Sequence, residues 1–154
     1  MSGHAVVIAL DQVEPAYYEG WEARSRTSLR DGRDMLTHVI ENDFSSSVFL
    51  TNENATRSNV LAAIAQALAK LVRGDLFLLY FSGHGAQLPR TEAPFVTFEA
   101  WCLHDGMLVD DEVNKLLVEV PTGIRIVTIT DSCFSGGMPA RLLNLMLEIG
   151  RAHV

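Results

Sequence analysis

Short apolar runs at residues 5–10, 47–50, 76–81 and 124–130 alternate along the chain with segments of helical periodicity, and this alternation restricts the fold more than any other feature. Such runs are too short for helices and read as strands. Between them Met35, Leu36, Val39 and Ile40 recur at helical spacing, as do Leu61, Ile64, Leu68 and Leu71, then Val113, Leu116, Leu117 and Val120. Gly74 stops the second helix, with Lys70 and Arg73 in its last turn, where cations suit the helix dipole. A final helical pattern starts at Pro139. Residues 86–107 carry two prolines and read as irregular, holding a short hairpin or an extended loop. Strands alternating with amphipathic helices predict an α/β fold, a parallel sheet flanked by helices on both faces.

Composition narrows the partners. The 154 residues suit one domain. A net charge of -7 argues against nucleic acid, whose phosphates demand a basic face. No stretch reaches the roughly 18 apolar residues of a membrane span, and the first strand follows residue 4 without a signal-peptide pattern. Two cysteines, Cys102 and Cys133, read as thiols rather than a disulfide scaffold. A cytoplasmic protein without nucleic-acid or membrane partners is expected.

Ligands of open α/β sheets sit at the carboxyl ends of strands. Two glycine-flanked polar clusters fall there, Ser82-Gly83-His84-Gly85 and Asp131-Ser132-Cys133-Phe134-Ser135-Gly136-Gly137. Each is expected to leave its strand for a turn of small residues. A thiolate attacks carbonyls strongly but needs help to ionise at neutral pH. An imidazole beside it stabilises the thiolate and then protonates the leaving amine. Gly85 allows close backbone approach, so its N–H and that of Cys133 suit a developing oxyanion. Taken singly, such a histidine reads as structural and such a cysteine as a small core residue. Both at matching strand ends, 49 positions apart, favour the catalytic reading.

The runs Tyr80-Phe81-Ser82-Gly83-His84-Gly85 and Asp131-Ser132-Cys133-Phe134-Ser135-Gly136 resemble the histidine and cysteine motifs of metacaspases. From residue 6 to about residue 137 the chain resembles a bacterial caspase-family peptidase of metacaspase type, including Tyr18-Glu19-Gly20-Trp21 and Leu108-Val109-Asp110-Asp111-Glu112. It departs from the commonest pattern at Phe134, where a histidine is frequent, and in the short stretch 87–100, where many relatives carry an acidic loop. The resemblance implies a caspase–haemoglobinase-like fold and a cysteine endopeptidase with His84 and Cys133 as its dyad.

It also implies a pocket for a basic residue before the scissile bond. Asp131 matches the pocket acid, and Asp31 is the second by its spacing to Met35, with Asp34 its rival. Arg26, Arg30 and Arg33 sustain an alternative, cleavage after Asp. Asp110 and Asp111, with Glu99, resemble the acidic residues of calcium-dependent relatives. Calcium takes six to eight oxygens, more than this set supplies, and acids opening a helix also serve as its cap. Calcium therefore enters only as a candidate activator, and no cofactor is required. Cys102 and His104 lack a second ligand pair for zinc and are assigned to packing or loop structure.

Further strands follow the cysteine in the family. The chain is accordingly read as a catalytic domain over residues 1–147, resembling a caspase large subunit and truncated, with residues 148–154 a non-biological tail. The expected function is cleavage of protein or peptide substrates after Arg or Lys. A non-catalytic caspase-like interaction module is the reading from another class.

Overall fold

The computed structural model describes residues 2–89 and 97–134, with Pro89, Cys133 and Phe134 as backbone only. In chain order the elements are β1 (Gly3–Ala9), α1 (Ser28–Glu41), β2 (Ser46–Thr51), α2 (Arg57–Leu68), β3 (Leu76–Pro89), β4 (Thr97–Leu103), β5 (Gly106–Val109), α3 (Asp110–Leu117) and β6 (Arg125–Phe134). β2, β1, β3 and β6 form the expected parallel sheet. β4 and β5 extend it antiparallel. The long β3 organises this arrangement. Its first half lies between β1 and β6, and β1 leaves at Ala9, opposite Ser82. From Gly85 onward β4 takes the place of β1, with Gly85 opposite Trp101. The crevice where β1 departs lies beside His84, at the carboxyl end of the parallel strands.

Alternate residues of each strand enter opposite faces. Val6, Ile8, Leu10, Phe77, Leu79 and Phe81 pack against Val60, Ile64 and Ala67 of α2 and Val113 of α3. Phe81 also stacks on Trp101, ring centroids 4.6 Å apart. On the other face Ala5 and Leu78 meet Val39 of α1, with Met35 and Phe44 beside them. Helices therefore cover both faces.

Gly32 sets how deep α1 sits. A Cβ there would fall 2.5 Å from Cβ of Ala9 and 3.0 Å from the Phe49 ring, so only glycine permits this approach. The helix starts without a side-chain cap from Thr27. Asp11 and Ser25 supply acceptors instead: Leu29 N–H donates to Asp11 Oδ1 at 3.0 Å, and Ser28 N–H to Ser25 Oγ at 3.4 Å.

Two expectations change. The strands expected to end at residues 81 and 130 run on to Pro89 and Phe134, so His84 and Cys133 stand within paired strands rather than in turns. The reason is mutual: each extension supplies the other's ladder partners, from Ser82 opposite Asp131 to Gly85 opposite Phe134. The stretch 86–107, read as irregular with a short hairpin or an extended loop, holds the hairpin, β4 and β5 paired with Leu103 opposite Gly106. It is more regular than expected, since it also contains the end of β3. The helical pattern from Pro139 lies outside the described residues.

Candidate active site

His84 and Cys133 occupy the same register on neighbouring parallel strands. The His84 ring is half-buried. Its Nε2 lies 3.3 Å from the carbonyl oxygen of Arg24, and its ring meets Trp21 edge-on at 5.2 Å between centroids. A carbonyl only accepts, so Nε2 carries a hydrogen, and in the neutral ring Nδ1 is the nitrogen with the lone pair. Nδ1 is buried and has no partner among the described residues. A base oriented by a third group is the arrangement nucleophilic catalysis requires.

The loop between β1 and α1 delivers that carbonyl. Ser25 N–H donates to Asp11 O at 2.7 Å and Val13 N–H to Glu22 O at 3.1 Å, which fold the loop into a ribbon. Tyr18, fully buried, ties the ribbon to β4 through its hydroxyl, which donates to Leu103 O at 2.6 Å. Ala23, immediately before Arg24, takes a left-handed backbone with φ of 46°. Such a conformation disfavours a residue with a Cβ and is held here by the surrounding contacts.

Beside His84 a cavity of about 200 Å³ is lined by Asp31, Asp131, Ser28 and Ser82 among others. Asp31 enters from the first turn of α1, its side chain 27% exposed, and its rival Asp34 is exposed and does not line the cavity. Asp131 enters from β6, opposite Ser82. Tyr80 lies beneath, 5% exposed, its hydroxyl 3.5 Å from Asp131 Oδ2. Burial pushes its phenol above the ordinary range, and the charges of Asp131 and Asp31 add to this against a hydrogen bond from Ser82. Arg30 reaches Asp31 only from solvent, at 3.4 Å with its side chain 71% exposed.

Gly85 is registered between Trp101 of β4 and Phe134 of β6, and a Cβ there would meet Ser132 Oγ at 3.0 Å. The remaining sequence candidates lie elsewhere. Glu99 and Asp110 line a second cavity, of about 160 Å³, against Thr128, Thr130 and Val113; Asp111 does not line it. Asp110, Asp111 and Glu112 open α3, as acids that suit a helix N-terminus, and Glu112 receives a forked pair from Arg57 at 2.7 and 3.2 Å. Among the described residues no three His, Cys, Asp or Glu side chains could hold one metal ion, which falls short of calcium's coordination. Cys102 is fully buried in a packed cluster, and burial pushes its thiol up to about 12. His104 forms part of the turn between β4 and β5.

Three contributors escaped the sequence reading. The Arg24 carbonyl is a backbone group and leaves no residue signature. Trp21 belongs to a run that carried the family resemblance, without a sign of its contact with His84. Tyr80 lies in an apolar run and reads as core.

Comparison with known proteins supplies the family. The model of the metacaspase, peptidase C14 domain matches residues 24–140, well over half of the chain. Metacaspase-4 of Arabidopsis thaliana is 29% identical over 150 residues, covering 90% of this chain and 34% of its own length. Metacaspase-1 of Coccidioides immitis is 27% identical over 135 residues, covering 77% of this chain and 29% of its own. The chain thus spans about a third of these curated relatives. The crystal structure of protein GSU0716 from Geobacter sulfurreducens superposes with a TM-score of 0.87 at 33% identity, covering 99% of this chain and 63% of that one. With its paired motif strands and the match over residues 24–140, the chain belongs to the metacaspase, peptidase C14 family.

Proposed function

We propose that this protein is a cysteine endopeptidase that cleaves after Arg or Lys. One observation carries the specificity: Asp31 and Asp131, 100 positions apart in sequence, line the same cavity as His84. Two carboxylates facing one cavity suit a guanidinium or ammonium, through charge-assisted hydrogen bonds that a guanidinium can make in forked form. An acidic substrate side chain would meet repulsion there.

In this reading Cys133 attacks the scissile carbonyl as a thiolate and forms a C–S bond. His84 gives the proton taken from the thiol to the leaving amine as the C–N bond breaks. Nδ1 performs the transfer, because Nε2–H is committed to the Arg24 carbonyl. Water then hydrolyses the thioester, with His84 as base. The backbone N–H groups of Gly85 and Cys133 act on the oxyanion. No step is routed through a metal; calcium enters only as an activator to be tested.

Matched peptides ending in Arg, Lys or Asp, assayed with and without calcium beside Cys133→Ala, test this. Cysteine-dependent cleavage after Arg or Lys is expected. Cleavage after Asp alone would overturn the pocket, and turnover by Cys133→Ala would overturn the nucleophile. A folded protein that cleaves none of them would act as an interaction module.

A further inference from the structure

Asp131 presents a problem of position. It is exposed, near the end of β6, a strand that pairs only with β3 among the described residues. It shares the lining of the cavity beside His84 with a second carboxylate, Asp31. Like charges so placed repel, and a surface carboxylate relieves the repulsion by turning outward into water. A pocket acid that turns outward keeps its charge and loses its geometry.

We propose that Tyr80 is the positioning residue of this cation pocket, its hydroxyl donating to Asp131 Oδ2 and holding that carboxylate toward Asp31. The Tyr80 hydroxyl is the one hydrogen-bond partner of the Asp131 side chain among the described residues, at 3.5 Å. The ring is 5% exposed, so its orientation is set by packing. Register supplies the alignment: Tyr80 pairs with Ile129 and Ser82 with Asp131, so the phenol lies one pleat below the carboxylate on the same face. Ser82, 2% exposed, lies on the same face one pleat along, and its hydroxyl opposes the rise of the phenol's pKa. When the phenol oxygen accepts from Ser82, its own hydrogen is left for Asp131. Burial keeps the phenol protonated, hence a donor, throughout the working range.

The consequence is selectivity. A guanidinium needs two acceptors held at a set separation, whereas an ammonium is a point charge on a flexible stem. Loss of the Tyr80 hydroxyl therefore weakens a guanidinium more than an amine of similar length.

This rests on the cation pocket proposed above, and its test does not use turnover. Binding of agmatine and of n-butylamine is measured by calorimetry for the wild type, Tyr80→Phe, Asp131→Asn and the double variant, each checked for native circular dichroism. Tyr80→Phe is expected to weaken agmatine about five- to tenfold and n-butylamine less. Asp131→Asn weakens both further, and in its background Tyr80→Phe has no added effect, because Tyr80 acts through Asp131. Ser82→Ala, a second route to the same relay, gives a smaller loss for agmatine. Wild-type affinity in Tyr80→Phe, or additive losses in the double variant, overturns the proposal. Equal agmatine binding by wild type and Asp131→Asn removes the cation pocket and this role with it. A protein that shows the coupled losses yet cleaves no peptide keeps this proposal and loses the peptidase.

Discussion

Nε2 of His84 lies 3.3 Å from the carbonyl oxygen of Arg24, and this one contact commits one ring nitrogen and leaves the other. The acceptor is backbone, so the imidazole is oriented by the course of the loop rather than by a side chain. Nδ1, buried and without a partner among the described residues, is the uncommitted ring nitrogen, on a residue registered opposite Cys133.

Removing the imidazole should therefore cost the whole acid–base contribution. His84→Ala is expected to lower kcat/KM on the cleaved peptide by about 10²- to 10⁴-fold, and Cys133→Ala to leave no cysteine-dependent turnover. Steady-state assays on purified, folded variants check both. A His84→Ala variant within threefold of the wild type would exclude His84 as the base.

The two thiols should separate by reactivity. Cys102 is fully buried and its thiol is pushed up to about 12 by burial, so at neutral pH it offers iodoacetamide neither access nor thiolate. One alkylation per chain is expected in the native state, located at Cys133 by mass spectrometry, and two after denaturation. Native labelling of Cys102 would contradict its burial.

Gly32→Ala tests the seat of α1. Alanine favours a helix by about 0.5–1 kcal/mol over glycine. Here the added Cβ would fall 2.5 Å from that of Ala9, and overpacking of this kind costs about 1–3 kcal/mol. The clash wins, and the midpoint of urea unfolding should fall. Because Asp31 belongs to the same helix, agmatine binding should weaken as well.

Asp75 gives the pH dependence a definite sign. Its carboxylate accepts Val72 N–H at 3.0 Å and Ser2 N–H at 2.8 Å, and these bonds, Val72 first, hold it below its ordinary value of 3.8. A folded value below the unfolded one contributes stability above the unfolded value, lost as pH falls through the folded one. The gap in urea midpoint between wild type and Asp75→Asn should be constant from neutral pH to about pH 5, then close as the pH drops below 3.8. A gap that persists at the acid end would mean that Asp75 stabilises by packing rather than by its charge.

Much of this protein is legible in its residues. The period of the apolar runs located every parallel strand and the three described α-helices, though not their ends, because burial on one face or both imposes a local spacing. The motifs around His84 and Cys133 carried the family, and the match over residues 24–140 bears that out. Element ends were less legible. The strands carrying His84 and Cys133 run beyond their apolar stretches because each extends the other's ladder, and a pairing partner about 50 positions away leaves no local mark.

The sequence by itself determined the α/β architecture and the two motif strands, since these follow from spacing over a few residues. Tertiary structure alone brought Asp31 and Asp131 to one cavity, turned the Arg24 carbonyl to His84 and set Tyr80 beneath Asp131. Each of these joins groups that chain order separates, and one is a backbone atom common to every residue type. Strand order, register and the seat of α1 on Ala9 decide such contacts, and they exist only once the sheet is assembled.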